Sequence, residues 1–306
     1  MNDINVIKDI PKEDLLTGGT FACAGCNAIL GTKFVLKALG KNTILINASG
    51  CMTLTAAYPF TPYKVPWVHG AIENAASVAT GISMGLKAQK KDKNVNVVCY
   101  AGDGATYDIG FQALSGAAHR NENIIYVCYN NSSFANTGFQ RTSATPYGAR
   151  TTTTPIDNGI GNILPRKNMT KIMALHNIPY TATASTAYPI DFMQKLQKAS
   201  KIYGLKFIDL LTSCEPGWLV QSAKMIEVNK LMVQTGVWPV YEIENKNGIK
   251  SFKLNIEPRM LPAADVLKLQ GRFSHLKKED IEFIQGIINK EWEFLKVGNW
   301  WDAVEY

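Results

Sequence analysis

The sequence lacks most of the signatures that would settle its class at once. Its start, MNDINVIKDIPKEDLL, has no basic segment followed by a long apolar run, so no signal peptide is expected. Its most apolar helical stretch, AIENAASVATGISMGL, contains Glu73, Asn74 and many small residues, which predicts a packed internal helix rather than a membrane span. The net charge of +7 is dispersed, with no dense Lys/Arg run, so the basic excess reads as a solvated surface and not as a nucleic-acid arm. Four histidines, His69, His119, His176 and His275, show no ligand spacing, and H-E-x-x-H, G-x-S-x-G and the bacterial ferredoxin cysteine run are all missing. No internal repeat or low-complexity tract occurs. With 46% apolar and 19% charged residues in 306, the composition is that of a folded globular chain, long enough for one or two domains. Six cysteines without a secretory signal point to a reducing, cytoplasmic setting, where spaced cysteines bind metal or do chemistry more often than they form disulfides.

Apolar strand-like runs alternate with helical ones. NTILINAS (42–49), NVNVVCYA (94–101), NIIYVCYN (123–130), YTATAS (180–185) and LKFIDLLTS (205–213) read as strands. Helices are expected over 65–90, 107–120, 169–178 and 191–204, and the chain beyond Glu215 reads as turns with two helices. This alternation predicts an α/β fold, a mostly parallel sheet with helices on both faces. The division expected is residues 1–214 as a cofactor- and metal-binding domain and 215–306 as a C-terminal extension packed on it and on partners. Ligands bind such sheets outside the carboxyl ends of the strands. Cys51, then Gly102-Asp103-Gly104, Asn130-Asn131 and Cys214 each follow an apolar strand, so a parallel sheet gathers all of them at one edge. The polar run from Asn131 to Pro155, NSSFANTGFQRTSATPYGARTTTTP, is too long for an idle connector and reads as functional.

At that edge the glycines around Asp103 let backbone approach a ligand, and the following helix start suits a phosphate. Asp103 and Asn131 offer hard oxygen donors from neighbouring strand ends, which suits Mg²⁺. The bland alternatives are a helix N-cap for Asp103 and a turn for Asn130 and Asn131; the paired motif, GDG followed by a strand ending in NN, resembles the thiamine-diphosphate motif. Cys23 and Cys26, spaced C-x2-C, could form a four-thiolate shell with the remote Cys51 and Cys214, for zinc or for an iron–sulfur cluster. Cys99 and Cys128 lie within apolar strands and read as small buried hydrophobes.

The strings CAGC, NASGCM, VPWVHGAIENAASVATG, AGDGATYDIG, YNNSSFANTGFQRTSATPYGA, TTTTP, CEPGW and LKLQGRFSHL resemble the β subunit of 2-oxoacid:ferredoxin oxidoreductases, the pyruvate enzyme being nearest. The likeness runs from about Thr17 to about Trp292. It implies a thiamine diphosphate site with Gly50, Cys51, Gly102 and Gly104 against the diphosphate. It further implies Mg²⁺ held by Asp103, the Asn131 side chain and the Ser133 carbonyl, with Asn136 beside the thiazolium and substrate as the catalytic residue. It assigns Cys23, Cys26, Cys51 and Cys214 to a 4Fe-4S cluster. The implied reaction is oxidative decarboxylation of a 2-oxoacid to acyl-coenzyme A and CO₂, or its reverse, with electrons passed through the cluster to ferredoxin. Partners implied are α, γ and δ type subunits, one of which supplies the glutamate that activates the thiamine. Alternatives are oxalate, an aryl glyoxylate or a branched 2-oxoacid as substrate, or a non-redox decarboxylase with structural zinc. Where this chain has Asn131-Ser132-Ser133-Phe134, relatives often carry Asn-Glu-Ala-Tyr, and Asn27 stands where many have Gly. The aromatic C-terminus, with Trp300 and Trp301, reads equally as a partner contact or as packing on its own domain.

Overall fold

The five apolar runs read as strands form strands, and three further strands join them. In chain order they are β1 (Thr43–Ala48), β2 (Trp67–Gly70), β3 (Asn96–Gly102), β4 (Ile125–Asn130), β5 (Tyr180–Ser185), β6 (Lys206–Leu211), β7 (Val240–Lys246) and β8 (Ile249–Ile256). The helices are α1 (Asn27–Leu39), α2 (Cys51–Leu54), α3 (Ala75–Ala88), α4 (Phe111–His119), α5 (Met169–Leu175), α6 (Pro189–Ser200), α7 (Glu215–Trp218), α8 (Met225–Gln234), α9 (Ala263–Leu267) and α10 (Lys278–Lys296). The computed structural model describes residues 3–56, 59–156 and 159–298. Trp300 and Trp301 lie outside the described residues.

All eight strands belong to one sheet, ordered β2-β1-β3-β4-β6-β5-β7-β8. Pairings among β1 to β6 are parallel, whereas β7 runs antiparallel to β5 and β8 antiparallel to β7. Alternate side chains of a strand point to opposite faces, and the sequence supplies apolar residues for both. Leu45, Val98, Tyr100, Val127 and Leu210 meet Val35, Leu36, Phe192 and Leu196 of α1 and α6 on one face. Ile46, Val97, Cys99, Tyr126 and Phe207 meet Ala76 and Ala79 of α3, Leu114 of α4 and Met173 of α5 on the other. Fully burying a Val, Leu or Phe stabilises by roughly 1.5–3 kcal/mol. The expected parallel sheet with helices on both faces is therefore the observed one. The alanine-rich stretch 71–86 supplies most of α3, which buries one face through Ala75, Ala76, Ala79 and Ser83, and no helix among the described residues is long and apolar enough to cross a membrane.

Three expectations are corrected. The stretch 65–90 is not one helix: Trp67–Gly70 pairs beside β1 as an edge strand, and α3 begins only at Ala75. Helix 107–120 is interrupted, because Gly104–Ile109 form a π-helical turn before α4. Beyond Glu215 the chain holds α7, α8, α9 and α10 plus the hairpin β7–β8, which extends the same sheet.

Candidate functional site

The parallel strands end at a common edge, and the residues that follow them build two adjoining chambers. Gly50, Cys51, Gly102, Gly104, Asn131, Ser133 and Asn136 line the first, a cavity of about 190 Å³ completed by Ser49, Ile72, Tyr129 and Phe134 among others. Glycine is required here by space. A methyl group at Gly104 would overlap the Phe134 ring, and one at Gly102 would stand 3.2 Å from the Tyr129 ring. At Gly50 the backbone has φ +157°, and a methyl would stand 3.0 Å from the Tyr129 hydroxyl. The π-helical turn that follows Asp103 widens the backbone at this corner, a distortion common at functional sites.

Asp103 stands directly behind the cavity wall and is fully buried. The Thr142 hydroxyl donates to its Oδ2 at 2.6 Å and the Asn131 N–H to its Oδ1 at 3.2 Å. Burial pushes the carboxyl up to about 7, against the pull of those two hydrogen bonds. Asn131 Oδ1 accepts from the Ser133 N–H at 3.2 Å and hydroxyl at 3.3 Å, so the proposed oxygen donors already form one turn. Ser132, at the centre of that turn, has φ +66°, held by the Thr145 hydroxyl donating to its carbonyl at 2.7 Å. The polar run after β4 is thus folded back over the Asp103 carboxylate.

The second chamber, of about 120 Å³, is lined by all four candidate thiols, Cys23, Cys26, Cys51 and Cys214. Cys26 immediately precedes α1, Cys51 opens α2 and Cys214 immediately precedes α7. The N–H groups of Ile29 and Ala28 point to the Cys26 sulfur, and that of Gly217 to the Cys214 sulfur. Burial nevertheless pushes the Cys51 and Cys214 thiols up to about 12, and the other thiols of the chamber push Cys51 further the same way. No group of three or more His, Cys, Asp or Glu among the described residues is placed to hold a single metal ion. Cys51, Asn131 and Asn136 line both chambers, so they form the partition between them. Cys99 and Cys128 are buried in β3 and β4, as expected.

Several residues of this edge were not singled out from the sequence. Tyr129 shapes the first chamber together with Phe134, which was noted only as a departure from relatives. Thr142 and Trp218 brace the carboxylate turn, Trp218 by donating from Nε1 to the Asn131 carbonyl at 2.7 Å. Arg272 stacks on Trp218, with Cζ 3.8 Å from the ring centroid. The signal for Thr142 was the polar run itself. For Trp218 it was adjacency to Cys214 in CEPGW.

Two chambers at the carboxyl edge of a parallel sheet, one glycine-floored beside a buried carboxylate, mark a cofactor-binding domain. Residues 48–210 match the family model for the thiamine pyrophosphate enzyme C-terminal TPP-binding domain. The chain is 46% identical over 299 residues to pyruvate synthase subunit PorB of Methanocaldococcus jannaschii, covering 95% of this chain and 99% of that one. It is 44% identical over 300 residues to ketoisovalerate oxidoreductase subunit VorB of Pyrococcus furiosus, covering 94% of each. A solved structure of 2-oxoglutarate:ferredoxin oxidoreductase from Magnetococcus marinus, with 2-oxoglutarate, coenzyme A and succinyl-CoA bound, aligns with TM-score 0.56 at 22% identity over 68% of this chain and 67% of that chain, a likeness of fold. The chain belongs to the family of β subunits of 2-oxoacid:ferredoxin oxidoreductases, which includes pyruvate synthase subunit PorB.

Proposed function

We propose that this chain is the thiamine-binding β subunit of a pyruvate:ferredoxin oxidoreductase. The observation that carries this reading is the partition: Cys51, Asn131 and Asn136 separate a glycine-floored cavity from a four-thiol cavity. Relatives of similar identity named for pyruvate, at 40–46%, and for ketoisovalerate, at 43–44%, keep both acids in play, and the three most similar of those compared are named for pyruvate.

The residues present fit the groups implied. Gly50, Gly102 and Gly104 leave room for a diphosphate to approach the backbone. Asp103, the Asn131 side chain and the Ser133 carbonyl would hold Mg²⁺, whose charge would return the carboxyl of Asp103 to its ionised form. Asn136, which lines both chambers, would face the bound 2-oxoacid. Four thiols around one cavity, two of them single and remote in the chain, favour a 4Fe-4S cluster over structural zinc. When bound, thiamine diphosphate supplies the electron sink for decarboxylation, and the protein supplies position, electrostatics and an outlet for electrons.

In this reading residues 1–214 carry the ligands, while 215–306 brace them through Trp218 and meet other subunits. No glutamate lines the first chamber among the described residues, so the group that activates the thiamine would come from a partner of α type. Subunits of γ and δ type, coenzyme A and ferredoxin complete the reaction, in the cytoplasm.

The test is anaerobic purification of the native complex, with iron, sulfide and thiamine diphosphate measured and pyruvate compared with ketoisovalerate, oxalate and aryl glyoxylates by kcat/KM. Pyruvate is expected to lead. Asp103→Ala should lose thiamine diphosphate while retaining iron, and Cys214→Ser should lose iron first. A complex with thiamine but one zinc per β subunit would overturn the cluster assignment, and one without thiamine would overturn the whole reading.

A further inference from the structure

We propose that Arg272 is a fixed counter-charge for the four-thiol chamber and raises the reduction potential of the iron–sulfur group held there. This rests on reading Cys23, Cys26, Cys51 and Cys214 as ligands of that group.

Arg272 is 3% exposed, yet among the described residues no carboxylate forms an ion pair with it. Its Nε donates to Gln270 Oε1 at 3.0 Å, and Gln270 is itself fully buried and neutral. Nη2 is buried without a hydrogen-bond partner. The guanidinium lies over the Trp218 ring at 3.8 Å from its centroid, with the Phe273 ring centroid at 5.0 Å. Trp218 is tied back to the cluster-side strand end, because its N–H donates to the Cys214 carbonyl at 2.8 Å. The ionisable groups that face the guanidinium are Cys214 and Asp103.

A buried guanidinium without an ionic partner is strongly unfavourable, since water is lost and nothing charged replaces it. Aromatic faces and one amide oxygen compensate only in part. The missing negative charge is supplied if the facing chamber holds four thiolates around an iron–sulfur core, whose net charge is negative and becomes more so by one on reduction. Cation and cluster then sit in a medium with little screening. The reduced state gains more from the cation than the oxidised state does, so the cation raises the potential. Hydrogen bonds, net charge and burial around the sulfurs are the recognised levers on such potentials. Arg272 is not among the residues lining the four-thiol chamber and acts as a positioning residue through its charge. When bound, the cluster would take one electron from the decarboxylated substrate and pass it to ferredoxin, and Arg272 would exchange no proton in the transfer.

The experiment uses the anaerobic holoenzyme, with iron and thiamine content measured for every variant and the cluster titrated electrochemically by electron paramagnetic resonance. Arg272→Gln removes the charge. Gln270→Glu keeps the guanidinium but places a carboxylate on its Nε, neutralising it without altering side-chain volume. Both should make one-electron reduction at least tenfold less favourable, a downward shift of about 59 mV or more. Arg272→Lys should stay close to the wild type. A merely structural arginine would lower stability in the first variant but would not shift the potential in the same direction in both. Iron-loaded variants whose potentials match the wild type overturn the proposal and leave the cluster reading standing. A wild-type holoenzyme devoid of iron overturns both.

Discussion

Lys206, at the start of β6, is 3% exposed and donates from Nζ to Asn123 Oδ1 at 2.8 Å. Burial lowers its pKa to about 7. A lysine depressed in the fold makes the unfolded chain bind more protons between about 7 and its ordinary value, so stability rises with pH across that window and falls as pH drops through 7. Lys206→Met is expected to flatten this dependence, read as the difference in urea midpoint between the two proteins at pH 6.5 and pH 9.5. At this same scale the site was legible where a residue type announces its chemistry. Cys23 and Cys26 could be paired by their C-x2-C spacing and joined to Cys51 and Cys214, which follow strands, and Asp103 and Asn131 could be paired because they follow adjacent strands. The roles of Arg272 and Trp218 were not legible, although CEPGW set Trp218 near Cys214. One stacked cation and one indole hydrogen bond to Asn131 depend on a fold-back of the C-terminal region that no local pattern encodes.

Among the elements, α10 closes the helical layer beyond β7. Its buried residues Ile284, Ile288, Trp292 and Leu295 recur at the spacing of one helix face. Trp292 donates from Nε1 to the Gly236 carbonyl at 2.9 Å, and Gly236 has φ +77°, with no room for a side chain beneath the indole. Trp292→Ala should reduce unfolding free energy by about 3–5 kcal/mol, measured by denaturant unfolding with the m-value unchanged. Elements that were missed share a physical cause. β2 has only four residues at the sheet edge and is followed closely by a strong alanine-rich helix signal, which absorbed it. β7 and β8 carry charged residues at many positions, as a half-exposed hairpin does. Their turn, Asn247-Gly248 with φ +54° and +87°, was nevertheless the strongest hairpin signal in the chain.

For the molecule as a whole, the thiol chamber opens beside exposed apolar side chains. Phe21 and Phe60 are each 65% exposed and touch edge to face at 6.2 Å between centroids, and Leu54 beside them is 52% exposed. Apolar side chains concentrated at a site mark a surface made to be covered. Since the relatives are named as subunits, the cover is expected to be another subunit. Backbone hydrogen exchange over 17–26 and 59–65 should slow at least tenfold in the assembled oxidoreductase relative to the isolated chain. Equal exchange in both would place the subunit contact elsewhere.

The two rims of the sheet have their own bearing on assembly. β2 ends it with four residues, and β8 ends it with a strand carrying Lys250 and Lys253, the latter reaching Glu242 at 3.7 Å. A short border at one side and a lysine-studded one at the other are poor templates for backbone pairing with a foreign chain. Neighbours in a larger enzyme must then be recognised by side chains and loops, and a growing fibre of stacked copies is denied a place to begin.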